Sequence, residues 1–170
     1  MPDVSFLVEY PIYRDFDIED IDILSKICTE EYYKEKELIC REGDPGDAMY
    51  IIKKGTVKIY KETNKRRKLI VLLSDGEFFG EMTLIDNSPR SASAYAGGDT
   101  ELVKLSVGGF NRLKNQYSAT GFKVMSVLLK FMSHRIRRTT KKAASLIKGR
   151  KKTVKRSPKK SGPKKKKKKK

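Results

Sequence analysis

The sequence predicts an α+β fold: an antiparallel β jelly-roll barrel with flanking helices and a long C-terminal dimerisation helix, followed by a disordered basic tail. Three observations lead there. Short segments of alternating apolar and polar residues, punctuated by glycine turns, run from Tyr32 to Leu105, the signature of an antiparallel barrel. Apolar residues then recur at helical spacing toward Ile147. Finally, the charge is uneven. From Arg135 onward lie 20 of the 39 Lys and Arg residues and none of the 21 acids, so residues 1–134 are close to neutral although the chain carries +18.

In chain order, residues 18–28 place Ile21, Leu24 and Cys28 on one helical face, with acids in the first turn where the helix dipole favours them. Tyr32 to Cys40 runs toward strand. The cluster Glu42 to Asp47 supplies the glycines and proline of a turn. Ala48 to Ile52 reads as a buried strand, Lys54-Gly55 turns the chain, and Val57 and Ile59 alternate with polar residues. Asn64-Lys65 marks a hairpin tip, and Leu69, Val71 and Leu73 alternate on the return. Asp75-Gly76 turns again, and Ser93 to Tyr95 and Glu101 to Leu105 read as strands joined around Gly97-Gly98. Phe110 to Tyr117 predicts a short helix.

The stretch from Thr120 to Ile147 predicts the longest helix. Met125, Leu129, Met132, Ile136, Thr139, Ala143 and Leu146 form a heptad seam, which predicts a parallel homodimer contact through residues 120–147. A single wide core-facing stripe in a monomer is the alternative. Val124, Leu128 and Phe131 form a neighbouring stripe able to pack on the barrel. Residues 148–170 lack hydrophobic periodicity and repel themselves, so they are expected to be disordered. A flexible oligolysine, with Lys159, Lys160 and Lys164 in its richest runs, binds nucleic acid without reading sequence by releasing counterions. An anionic membrane, another polyanion, or a merely solubilising role are the other readings.

Several classes drop out. Cys28 and Cys40 are too few for a disulfide framework and read as reduced core or half-buried thiols. His134 stands alone without metal-ligand spacing, and no nucleophile is paired with a base, so neither a metal site nor an enzyme is expected. With no N-terminal signal pattern and no apolar run near the ~20 residues that span a bilayer, the expectation is a cytoplasmic protein.

Residues 79–93, Phe-Gly-Glu-Met-Thr-Leu-Ile-Asp-Asn-Ser-Pro-Arg-Ser-Ala-Ser, carry the chemistry. Glu81 precedes Arg90, with a short apolar segment between them that predicts one turn of helix. An arginine fork suits a phosphate, and a carboxylate accepts from sugar hydroxyls. Gly80 allows close backbone approach. A helix start at Glu81 would aim free N–H groups at an anion. The pattern points to recognition of a sugar phosphate without any bond being broken.

This segment resembles the phosphate-binding cassette of the cyclic-nucleotide-binding domain family, which includes the catabolite activator protein and protein kinase A regulatory subunits. Residues 43–60, Gly-Asp-Pro-Gly-Asp-Ala-Met-Tyr-Ile-Ile-Lys-Lys-Gly-Thr-Val-Lys-Ile-Tyr, resemble the family's glycine-punctuated strands. The resemblance covers residues 10–147 as one domain and stops before the tail. It implies that Glu81 accepts the ribose 2′-hydroxyl and that Arg90 pairs with the cyclic phosphate. Backbone N–H groups near Met82, Thr83 and Ala92 would assist, Ser91 would donate its hydroxyl, and Gly80 would let the ribose approach. Thr83 departs from the small residue often found there, and Ser93 from a common Thr or Trp. Thr139 and Thr140 fall where the catabolite activator protein's central helix meets adenine across the dimer; the alternative is that Thr139 bonds its own helix backbone.

Cyclic AMP is the implied ligand, with cyclic GMP the alternative because only Ser91 argues between them; cyclic dinucleotides stay open. The chain past the long helix is too short for the helix-turn-helix domain of the family's gene regulators. The reading is thus a cyclic-nucleotide sensor with a nucleic-acid-binding tail. The alternatives are a nucleotide-free dimeric scaffold acting as an architectural DNA- or RNA-binding protein, and a regulatory module for a separate effector.

Overall fold

The computed structural model describes residues 1–63 and 66–154, with no side-chain description at 142, 143 and 145–154. The hairpin tip at Asn64-Lys65 and the tail lysines Lys159, Lys160 and Lys164 lie outside the described residues. The chain divides into two units, Met1–Lys130 and Phe131–Lys170.

Among its described residues the first unit holds eight strands in two four-stranded antiparallel sheets, as the alternation and glycine turns predict. In chain order the strands are β1 (Thr29–Tyr33), β2 (Leu38–Cys40), β3 (Ala48–Lys54), β4 (Thr56–Thr63), β5 (Arg66–Ser74), β6 (Phe78–Phe79), β7 (Ser93–Ala96) and β8 (Thr100–Ser106). One sheet runs β1-β8-β3-β6, the other β2-β7-β4-β5. The single strand expected from Tyr32 to Cys40 is two strands, β1 and β2, in different sheets. Between them Lys36 takes a φ of 69°, a left-handed turn that breaks the extended run.

Strand β3 explains why the barrel has two apolar layers. Its first five residues are all buried, so both faces are covered. Ala48, Tyr50 and Ile52 point to the barrel interior with Phe79, Leu102 and Leu73. Met49 and Ile51 face a second layer that includes Leu7, Leu24 and Leu128. The first residues of the chain contribute to that layer through two short 3-10 turns, Ser5–Glu9 and Pro11–Tyr13, with Val4, Leu7 and Tyr13 buried. Sequence periodicity gave no sign of these turns, because three apolar residues on a tight turn have no repeat to detect.

Helix α1 (Ile18–Ile27) begins on a capping box, Asp17 and Asp20 each accepting the other's backbone N–H. Leu24 and the following Cys28 are buried as expected, while Ile21 is half-buried. Asp20 is itself 3% exposed. It also accepts from the Thr120 hydroxyl at 2.7 Å and pairs with Lys123, fixing the start of the last helix on α1. The short helix α2 (Met82–Asp86) falls in the expected segment, whereas α3 (Val107–Gln116) begins three residues before Phe110 and includes Gly108 and Gly109, because the Ser106 hydroxyl caps it by accepting from Gly109 N–H.

Helix α4 (Ser118–Val154) starts two residues before the expected boundary and runs seven beyond it. The segment 148–154, expected as tail, is helical. Lysine and arginine are good helix formers and sit well near a helix C-terminus, which offsets their mutual repulsion. In the first unit, Val124 and Leu128 are buried and Leu129 is exposed; in the second, Ile136 is exposed. Among the described residues, no helix is long and apolar enough to cross a membrane.

Candidate functional site

The site forms where the β2–β3 loop, the end of β6, α2 and the loop before β7 meet. Arg90 is the centre. Its backbone is clamped by the β2–β3 loop: its N–H donates to the Asp44 carbonyl, and its carbonyl accepts from Gly43 N–H, both at 2.9 Å. The side chain is 4% exposed. Nη1 donates to the Ala48 carbonyl at 2.7 Å and more weakly to Gly80 at 3.4 Å. Nη2 pairs with Asp47 Oδ1 at 2.9 Å. The guanidinium also lies 5.6 Å from the centroid of the Tyr50 ring, which is stacked on Phe79.

Gly80 permits this packing. Its φ of 77° suits glycine, and a Cβ there would strike the Arg90 guanidinium and approach the Ala48 carbonyl to 3.1 Å. The expected ribose approach therefore has a second reason for glycine beside it, namely room for Arg90. Glu81 follows, 5% exposed, at the position just before α2, where its side chain makes no capping hydrogen bond. Gly80 therefore lies against Arg90, Glu81 follows it in the chain, and Met82 and Thr83 open α2. Met82 is exposed; Thr83 is buried and donates its hydroxyl to the Ser88 carbonyl at 2.8 Å. Its size is matched by Gly46, where a Cβ would strike the Thr83 side chain.

Ser91 is exposed and its carbonyl accepts from Lys61 Nζ at 2.9 Å; Ala92 is half-buried. Ser93 is fully buried, and its hydroxyl accepts from Glu42 N–H at 2.9 Å. In the second unit, Thr139 and Thr140 are exposed, and the Thr139 hydroxyl donates to the Arg135 carbonyl at 2.9 Å. That is the helix-backbone alternative. Among the described residues, no group of three or more His, Cys, Asp or Glu side chains is placed to hold a metal ion.

Sequence reasoning missed three residues beside Arg90: Asp47, Tyr50 and Lys104. Asp47 Oδ2 pairs with Lys104 Nζ at 3.1 Å, so one carboxylate serves two cations. Partial burial opposes the charge on Asp47, but Lys104 and Arg90 outweigh it and hold its carboxyl below the usual range. The available signal was Lys104 itself, a lone lysine inside the apolar run Leu102-Val103-Lys104-Leu105. A cation at such a position needs an anion nearby.

A family model described as the cyclic nucleotide-binding domain matches residues 30–117. The cyclic AMP receptor protein of Thermus thermophilus is 34% identical over 96 residues, covering 56% of this chain and 44% of its own. The cAMP-dependent protein kinase type II regulatory subunit of Drosophila melanogaster is 37% identical over 91 residues, covering 53% of this chain and 24% of its own. This chain therefore spans less than half the length of both relatives. A crystal structure of a cyclic nucleotide-binding domain from Methylobacillus flagellatus superposes with a TM-score of 0.74 at 28% identity, over 82% of this chain and 79% of the other.

Proposed function

The chain belongs to the cyclic nucleotide-binding domain family, and on that premise we propose that it is a regulatory sensor of cyclic AMP. The observation that carries the proposal is the buried Arg90 guanidinium. Two backbone carbonyls hold Nη1, while Nη2 meets Asp47, whose side chain is 62% exposed. Such a fork can exchange an exposed carboxylate for a phosphate. Glu81, next to Gly80 and buried, is the acceptor for a ribose 2′-hydroxyl. Backbone N–H groups of Met82, Thr83 and Ala92 and the Ser91 hydroxyl complete the set.

Cyclic AMP is preferred over cyclic GMP on Ser91, where guanine-selective members often carry threonine. The names of the two curated relatives, a cyclic AMP receptor and a subunit of a cAMP-dependent kinase, agree with that preference. Both names are those of regulatory proteins, and the role proposed here is likewise binding without catalysis.

Homodimerisation through residues 120–147 is part of the proposal. Its support is that the seam residues Leu129 and Ile136 are 62% and 63% exposed. Thr139 and Thr140 are proposed adenine contacts of the dimer; the Thr139 hydroxyl would have to leave the Arg135 carbonyl to serve. The lysine-rich tail, including Lys159, Lys160 and Lys164, is proposed to bind nucleic acid, on the strength of its charge alone.

Calorimetric titration with cyclic AMP and cyclic GMP, with Arg90→Ala as control, tests the core of this reading. Saturable heat with cyclic AMP that disappears in Arg90→Ala is the expected result. No heat with either ligand in a folded, nucleotide-free sample would refute it and leave the dimeric scaffold, with function carried by the tail.

A further inference from the structure

Lys104 reaches the site from β8 because of the sheet register. It is the cross-strand partner of Tyr50 on β3, and Ala48, two residues before Tyr50 on the same face, gives its carbonyl to Arg90. Lys104 Nζ lies 5.7 Å from the Tyr50 ring centroid, close to the 5.6 Å of Arg90. On its other side Lys104 pairs with Glu31 Oε1 at 3.1 Å, and Glu31 Oε2 accepts from the Tyr33 hydroxyl at 2.6 Å. The order is therefore Arg90, Asp47, Lys104, Glu31: cation, anion, cation, anion. Lys104 and Glu31 are 22% and 29% exposed at their side chains. Asp47 in the middle is the open member, at 62%.

We propose that Lys104 is a positioning residue of the nucleotide site: it keeps hold of Asp47 when a phosphate takes over the outer nitrogen of Arg90. The proposal rests on the nucleotide reading above and adds a determinant of affinity to it. A phosphate oxygen and Asp47 Oδ1 compete for the same donor. With Arg90 as its one cation, Asp47 must either block the phosphate or sit unpaired beside a second anion, and both outcomes oppose binding. Lys104 removes that choice. It already holds Oδ2, so Asp47 can release Arg90 and keep a charge partner. Glu31 and Tyr33 hold Lys104 from behind, so the ammonium stays at the barrel wall. Lys104 acts through Asp47 and need not touch the ligand.

The sign follows. Without Lys104, Asp47 holds Arg90 more tightly and the nucleotide binds more weakly. Without Asp47, Lys104 has nothing to hold at this point, and its loss has little further effect. By reciprocity, nucleotide on Arg90 strengthens the Asp47–Lys104 pair.

The test is a double-mutant cycle on the full chain, titrated calorimetrically with cyclic AMP. Lys104→Met is expected to weaken binding about fivefold or more, and by less than about twofold in an Asp47→Asn background. Lys104→Arg is expected to restore affinity, because it replaces the charge. Equal losses in both backgrounds, or no loss with Lys104→Met, would overturn the proposal. A ligand-free readout accompanies it. The Asp47 carboxyl, followed by carbon-detected NMR, is expected to titrate at higher pH in Lys104→Met than in the native protein, and an unchanged titration would also overturn the proposal. If the native protein binds no cyclic nucleotide while the Asp47 titration still responds to Lys104, the nucleotide reading has failed and takes the site role with it. Native binding with additive losses overturns the Lys104 role alone.

Discussion

Gly80→Ala separates two effects of one methyl group. Alanine at a φ of 77° carries a left-handed backbone penalty of about 1–2 kcal/mol. The same Cβ strikes the Arg90 guanidinium, which must leave its 2.7 Å bond to the Ala48 carbonyl. Losing a charged hydrogen bond of that kind costs a further ~1.5–3 kcal/mol. Gly43 provides the control. Its φ is 87°, but nothing lies within 4 Å of a Cβ built on it. Gly43→Ala should therefore show the backbone penalty by itself. Urea unfolding of both variants is expected to place Gly80→Ala lower in stability than Gly43→Ala by about the hydrogen-bond value. On the proposed nucleotide reading, calorimetry should show Gly80→Ala losing at least about tenfold in cyclic AMP affinity, since a displaced guanidinium could no longer serve the phosphate. Equal stability losses, together with native affinity in Gly80→Ala, would refute the argument that this glycine makes room for Arg90.

Three further outcomes are expected. Asp20→Ala removes the buried carboxylate that accepts from the Thr120 hydroxyl; leaving that buried donor unsatisfied should lower unfolding stability by about 1–3 kcal/mol, and no loss would contradict the account of how α4 begins. Burial pushes the Cys28 thiol up to about 12; the folded state therefore holds its proton where the unfolded chain, near the ordinary value of 9.0, releases it. Stability from this group is full below that lower value and is lost as pH rises toward the higher one, so the urea midpoint should fall with alkaline pH, and less steeply in Cys28→Ala. Ile136→Glu places a charge on the exposed seam of α4; if the proposed dimer forms there, sedimentation equilibrium should give a dimer mass for the native chain and a monomer mass for the variant, and equal masses would remove the heptad argument.

What the sequence made legible was local. Alternation, glycine turns and the acids in the first turn of α1 each lie within a few residues of the elements they mark. Glu81 and Arg90 stand out as candidates for a related reason: a carboxylate and a guanidinium suited to the two ends of a sugar phosphate lie on one short stretch of chain. The missed features need partners that are distant in sequence. Thr120 meets Asp20 across 100 residues. Val4 and Leu7 are core because a sheet face needs covering, not because of any pattern of their own.

Lys104 shows where local reading stops. Its position inside an apolar strand says that an anion must be near, but naming that anion requires the register of β8 against β3 and of β8 against β1. A shift of one residue in either pairing would turn Lys104 to the opposite face of the sheet. The present registers, Lys104 with Tyr50 and Glu31 with Leu102, put Lys104, Tyr50 and Glu31 on the barrel's interior side. There Lys104 of β8 and Arg90 of the loop before β7 meet on Asp47, with Tyr50 and Glu31 beside Lys104. The arginine proposed to bind phosphate can be singled out from its own motif, whereas the groups proposed to govern how readily it releases Asp47 are set by the pairing of strands.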